Sequence, residues 1–196
     1  MTSDDAPGVG PDVVLLRDWL DPDAASVLFD ALHATLPWRV HQVRMFGRAV
    51  DAPRLSCWIG DPGAAYRYSG VRHEPHPWPD ALRPLRERLS GETGAAFNSV
   101  LANLYRDGRD CMGWHSDDEP ELGEQPLIAS LSLGATRRFL LAHRRDRSRR
   151  LAVELAHGSL LLMRGDTQAR WRHALPRTAR PVASRINLTF RRIGPA

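Results

Sequence analysis

Two histidines and one aspartate in the C-terminal half of this 196-residue chain have the types and spacing of a metal site. His115 and Asp117 are separated by one residue, and His173 follows much later. Side chains alternate along an extended segment, so the H-x-D pair projects to one side. Two imidazoles and a carboxylate make the facial triad of non-haem iron(II) sites, which leaves three metal positions open. Alone, an H-x-D pair is a weak signal that also occurs in exposed acidic turns. A second cluster gives it meaning: Arg185-Ile186-Asn187-Leu188-Thr189-Phe190-Arg191. On a strand, Arg185, Asn187, Thr189 and Arg191 share one face, and Ile186, Leu188 and Phe190 offer the other to a core. Arginines on an inward face are costly unless an anion meets them. A dicarboxylate cosubstrate does so, because the guanidinium fork matches carboxylate geometry.

Other residues carry weaker signals. Asn103 and Tyr105 flank Leu104, so both face the same way on a strand, towards either water or the same anion. Tyr66, Arg67 and Tyr68, with Phe46 and Trp114, suit either ordinary sheet packing or the stacking of an unpaired base beside arginines. Five arginines crowd residues 144–150, which are either a solvated hairpin tip or a phosphate contact. His33, His41, His73, His76, His143 and His157 have no comparable context and read as surface or core residues.

These groups must be positioned by a fold of adequate size. With 42% hydrophobic and 26% charged residues, the chain is expected to form one packed domain. The formal net charge is +4, and every one of the 27 Lys-plus-Arg positions is Arg. A basic balance favours an anionic partner, nucleic acid above all. Cys57 and Cys111 form no disulfide framework, which suits a reducing cytosol. No apolar run is long enough for a membrane helix. Residues 1–12 are acidic, with Pro and Gly, and read as a disordered tail, not a signal peptide.

Along the chain, residues 13–16 read as a strand, and Asp21-Pro22 as a cap opening a helix over 22–36. Short strands are expected at 43–46, 56–59 and 66–68, with a turn at 61–63. A second helix is expected over 79–90, ending before Gly91. Strand-like runs then recur at 97–105, 127–134, 137–143, 151–155, 159–163, 170–175 and 184–192. No long helical pattern separates them, which argues for an antiparallel sandwich or barrel with flanking helices.

The chain resembles the AlkB family of iron(II)- and 2-oxoglutarate-dependent dioxygenases, and within it the DNA-repair branch. The resemblance runs from Val43-Arg44-Met45-Phe46-Gly47 to Arg192. It includes Tyr66-Arg67-Tyr68-Ser69-Gly70, Phe97-Asn98-Ser99-Val100-Leu101-Ala102-Asn103-Leu104-Tyr105, His115-Ser116-Asp117-Asp118-Glu119, Ile128-Ala129-Ser130-Leu131, Ala156-His157-Gly158-Ser159-Leu160 and the 185–191 strand. It implies a double-stranded β-helix (jelly roll): a catalytic core over 97–192 and a nucleotide-recognition elaboration over 13–96. It assigns Fe(II) to His115, Asp117 and His173, and 2-oxoglutarate to Asn103, Tyr105, Arg185, Thr189 and Arg191. Contacts to nucleic acid carry over to Phe46, Gly47, Arg54, Tyr66, Arg67, Tyr68, Asp118 and Glu119. The aromatic at Phe46 favours action on duplex DNA.

The activity so implied is oxidative demethylation of bases such as 1-methyladenine and 3-methylcytosine in DNA. O2 and 2-oxoglutarate are consumed; succinate, CO2 and formaldehyde are released. Three readings stand beside it: an RNA demethylase of the same chemistry, a nucleic-acid-binding module without turnover, and a dioxygenase acting on protein or small molecules. A cytoplasmic monomer is expected.

Overall fold

The computed structural model describes residues 10–45, 48–64, 66–68 and 71–194. In chain order the elements are β1 (Val13–Leu16), α1 (Pro22–Thr35), β2 (Arg39–Met45), β3 (Arg48–Gly60), β4 (Tyr66–Tyr68), β5 (Val71–His73), α2 (Arg83–Thr93), β6 (Ser99–Tyr105) and β7 (Met112–His115). They continue with β8 (Ile128–Gly134), β9 (Arg137–His143), β10 (Arg150–Leu155), β11 (Leu160–Met163), α3 (Thr167–Arg170), β12 (Trp171–Leu175) and β13 (Arg185–Arg191).

The strands form a seven-stranded sheet, β1-β11-β8-β13-β6-β3-β2, and a four-stranded sheet, β10-β9-β12-β7. All their pairings are antiparallel. The β4–β5 pair stands apart as a hairpin. The larger sheet has two unlike faces. On one, Ile186, Leu188 and Phe190 join Leu28 and Leu32 of α1 and Leu85 and Leu89 of α2 in one buried cluster. The other faces the smaller sheet: Ile128, Leu161 and Met163 pack with Leu155, Phe139 and Val153. Two apposed antiparallel sheets, with helices on one outer face, are the jelly roll the sequence led us to expect.

Local chemistry sets the boundaries. The Asp21 side chain accepts hydrogen bonds from the backbone N–H of Asp23 (3.0 Å) and Ala24 (3.2 Å), with Pro22 opening α1. Such a cap is worth about 1 kcal/mol. The second helix does not stop before Gly91: it runs to Thr93 and is closed by Gly94, whose φ of 72° is left-handed. Glycine adopts that conformation without strain, which makes it the effective stop. The tail also needs correcting at its end. Asp12 donates its N–H to Thr167 Oγ1 (2.9 Å) and pairs with Arg164 (2.9 Å), so it belongs to the fold. Residues 1–9 of that segment lie outside the described residues.

Other boundaries shift as well. The strand expected at 56–59 extends over Arg48–Gly60 and forms a long hairpin with β2. The run 170–175 begins only at Trp171, after the single turn of α3. Strand β7 was not anticipated. The segment expected to elaborate the core supplies β1, β2 and β3, three members of the seven-stranded sheet.

Candidate active site

The inner face of the larger sheet carries a polar row. Register places Ser56 of β3, Asn103 of β6, Asn187 of β13 and Ser132 of β8 side by side. Arg185 lies opposite Tyr105, and Thr189 opposite Ser130. Alternation along β13 therefore delivers the four polar residues anticipated from its sequence to one face, all buried.

Arg185 is the extreme case, with 1% of its surface exposed. Its Nη2 donates to Ser132 Oγ (2.8 Å) and Asn187 Oδ1 (2.6 Å), and its guanidinium lies 5.4 Å from the Tyr105 ring centre. Burial lowers its pKa to about 10, which leaves it charged at neutral pH. Asn187 also accepts from Ser130 Oγ (3.1 Å) and donates to Thr189 Oγ1 (2.8 Å), so its amide is oriented from two sides. Arg185 Nε is buried and has no hydrogen-bond partner. A buried cation with an unused donor, held rigidly by neutral neighbours, is suited to a carboxylate.

Across the interior, β7 and β12 bring the triad together. His115 and His173 are register partners. Their Nε2 atoms are 3.1 Å apart, and His115 Nε2 is 3.9 Å from Asp117 Oδ1. One ligand atom from each of the three residues falls within 4.8 Å of the others. Two nitrogens bound at right angles to one metal, at about 2.1 Å each, lie about 3 Å apart, so the imidazoles fit a shared ion. His115 Nδ1 lies 2.8 Å from the Gly113 carbonyl, which fixes Nδ1 as donor and frees the Nε2 lone pair.

Electrostatics prepare the ligands. Burial alone would raise the Asp117 carboxyl, but Arg191 and the two histidines outweigh it and hold its pKa at about 2. Burial, reinforced by His115 and Arg191, lowers His173 to about 3 despite Asp117. At neutral pH His173 is therefore uncharged, and the attraction on Asp117 there comes mainly from Arg191. Arg191 Nη2 donates to Asp117 Oδ1 at 2.8 Å, with both side chains buried. Carboxylate and neutral imidazole are the metal-binding forms.

Several supporting residues were not singled out in the sequence. Gln168, in α3, accepts the Asp117 N–H through Oε1 (3.0 Å) and is fully buried. Ser116 donates to the Trp171 carbonyl (2.7 Å). These two bonds pin the ligand loop to α3 and β12. Arg137 is buried and donates to the carbonyls of Asp107, Asp110 and Pro176, which braces the chain behind Tyr105. No sequence signal marked Gln168, since its role arises only when α3 folds against the 115–118 loop.

The residues expected to meet nucleic acid fare differently. Arg54 is buried and donates Nε to Asn103 Oδ1 (2.9 Å), which places it with the cosubstrate cluster and not on the surface. Alternation explains this: Arg54 shares a strand face with Ser56, which register sets opposite Asn103. Asp118 is exposed and ion-paired with Arg144. Glu119 follows it at the head of a short 3-10 turn. Tyr66, Arg67 and Tyr68 form β4, next to β5. Phe46 and Gly47 lie outside the described residues.

A family model described as the 2OG-Fe(II) oxygenase superfamily matches residues 12–191. The chain belongs to this superfamily. Within it, AlkB-type proteins are its relatives. It is 39% identical over 192 residues to human alpha-ketoglutarate-dependent dioxygenase alkB homolog 3, covering 93% of this chain and 66% of that protein. It is 43% identical over 161 residues to mouse DNA oxidative demethylase ALKBH2, covering 79% of this chain and 67% of that protein. The chain thus spans about two thirds of the length of these relatives. The solved structure of OsALKBH1 superposes with a TM-score of 0.59 at 20% identity, over 93% of this chain and 97% of that one; this likeness concerns the fold. Iron(II) and 2-oxoglutarate are the superfamily's metal and cosubstrate. The donor set of this oxygenase fits them: His115, Asp117 and His173 for the ion, and the buried Arg185 for a carboxylate.

Proposed function

We propose that this oxygenase removes N-alkyl groups, such as the methyl of 1-methyladenine or 3-methylcytosine, from bases in DNA. The observation that carries the reading is the convergence, inside one jelly roll, of the His115–Asp117–His173 cluster and the buried guanidiniums of β13. The name of one AlkB relative, DNA oxidative demethylase ALKBH2, points to the substrate class. When bound, the iron with 2-oxoglutarate and O2 supplies the oxidising chemistry, which yields succinate, CO2 and an N-hydroxymethyl group that leaves as formaldehyde.

The chain's own residues hold and shield that centre. Arg185 takes the distal carboxylate of the cosubstrate, with Tyr105 against its guanidinium. Arg191 keeps Asp117 charged and fixed in direction. Gln168 and Ser116 hold the loop between the ligands, so the metal-binding geometry is set before substrate arrives. The reactive methyl lies on the pairing edge of the base, so the base must leave the stack, at a cost of a few kcal/mol that a lesion already blocking pairing reduces. Asp118, exposed and next to the ligand Asp117, is placed to accept from an exocyclic amine or a cationic base; in the structure it is ion-paired with Arg144. Among the described residues no helix is long and apolar enough to cross a membrane.

The test is formaldehyde and succinate release on methylated duplex DNA, single-stranded DNA and RNA, with Asp117→Ala as control. Turnover on DNA that is lost in the control supports the reading. A preference for RNA moves the substrate. Binding without turnover on any of the three overturns the enzymatic reading in favour of a binding module.

A further inference from the structure

The smaller sheet has a second face, behind the metal site. Alternation turns His115, His173 and Leu141 inward. The residues between them point outward. Arg150 of β10 lies opposite Ala142 of β9, and Ala142 lies opposite Arg172 of β12. Two guanidiniums thus flank a single methyl group in one cross-strand row. Trp114, on the edge strand β7, is a large apolar side chain left 45% exposed. With His143 and Arg147 these residues line a depression of about 260 Å3.

The charge in this depression is uncompensated. Among the described residues no carboxylate pairs with Arg147, Arg150 or Arg172, whereas the neighbouring Arg144 and Arg170 are paired with Asp118 and Asp166. The wall is also shaped in advance. His143 Nδ1 accepts from the N–H groups of Arg145 (3.3 Å) and Asp146 (3.1 Å), and Arg150 Nε donates to the Arg147 carbonyl (3.1 Å). An uncovered indole beside three unpaired guanidiniums suits a ligand with both a flat apolar face and a negative charge. An acidic peptide would meet the guanidiniums and leave the indole face bare.

We infer that this depression is a second nucleotide subsite: it stacks one unpaired base on Trp114 and holds the adjoining phosphates with Arg147, Arg150 and Arg172. The inference rests on the nucleic-acid reading above and extends it to a nucleotide outside the catalytic pocket. Trp114 and His115 are consecutive, with Cα atoms about 3.8 Å apart, and their side chains take opposite sides of an edge strand. A nucleotide neighbouring the target in the same strand reaches the subsite by passing around β7.

The experiment compares wild type, Trp114→Ala and Trp114→Phe in binding unmethylated single-stranded DNA, and an abasic oligonucleotide of equal length and charge. Manganese binding by each variant checks that His115 is undisturbed. Trp114→Ala is expected to weaken binding of the base-bearing strand by about 5- to 150-fold, the worth of one aromatic stack. Trp114→Phe recovers most of the loss, and the abasic strand binds all three proteins alike. Arg172→Gln is expected to reduce the slope of log affinity against log salt by about 0.7. Equal binding of the base-bearing strand by wild type and Trp114→Ala overturns the subsite alone. So does an equal loss on the abasic strand. Failure of wild type to bind either strand at low salt overturns the nucleic-acid reading beneath it.

Discussion

Arg191 donates to Asp117 at 2.8 Å across 74 residues of sequence, and both side chains are almost fully buried. The pair joins the last strand of the larger sheet to the metal loop of the smaller one. Breaking a buried pair leaves the surviving charge unpaired, at about 3–5 kcal/mol. Arg191→Met is therefore expected to lower the melting temperature by about 6–20 °C, at about 2–4 °C per kcal/mol for a chain of this size. Asp117→Ala/Arg191→Met is expected to be more stable than Arg191→Met, because no charge is stranded. Calorimetry on wild type, both single variants and the double variant gives the coupling; additive losses would count against a stabilising pair.

Gln168 positions Asp117 through the backbone, with its Oε1 accepting the Asp117 N–H at 3.0 Å. Its other end, Nε2, reaches Met163 Sδ at 3.6 Å. Gln168→Ala removes the acceptor and leaves a buried N–H unsatisfied. Loss of such a supporting partner typically costs 10- to 100-fold in metal affinity or activity. The expected result is weaker manganese binding with circular dichroism unchanged, and partial recovery in Gln168→Glu, which keeps an acceptor at that position. A loss of metal affinity no greater than that of a surface substitution would remove Gln168 from the site.

The H-x-D pair and the polar face of β13 were legible from local spacing; His173, far along the chain, was tied to the pair by the family resemblance. The later strands were legible from local spacing too: 137–143 holds as expected, and the runs around 128–134 and 185–191 differ only at their ends. β7 was not, because Met112-Gly113-Trp114-His115 is short and contains a glycine that breaks the alternation. The start of β3 was hidden by Arg48, Asp51, Pro53 and Arg54, which interrupt any apolar pattern. Arg54 itself shows the limit most clearly. The resemblance assigned it a nucleic-acid contact, but it is buried two residues before Ser56, which register sets opposite Asn103, and it donates to that amide.

Arg185 offers Nε within a guanidinium whose Nη2 is already committed to Ser132 and Asn187. Arg185→Lys keeps the charge but loses the planar fork. With about 1.5–3 kcal/mol for a hydrogen bond to a charged group, the apparent affinity for 2-oxoglutarate is expected to fall about 10- to 150-fold, with manganese binding preserved. Titration calorimetry of the manganese-loaded variants checks this. Loss of metal and cosubstrate binding together would show instead that the substitution had disturbed the whole interior.

The two cysteines are expected to behave differently towards alkylation. Burial raises the Cys57 thiol to about 11, with Arg39 opposing weakly, while Cys111 is only partly buried. The thiolate is the reactive form. At pH 8 about one Cys57 in a thousand is ionised, against about one in four for an ordinary thiol of pKa 8.5. The sign follows: the fold favours neutral Cys57, so its contribution to stability is complete below about pH 8.5 and is lost as pH rises towards 11. Iodoacetamide at pH 8 should therefore modify Cys111 in the native protein and both residues in urea, as read by peptide mass. Equal labelling of Cys57 and Cys111 in the native state would mean that β3 opens on the timescale of the reaction, and with it the Ser56–Asn103 side of the polar row.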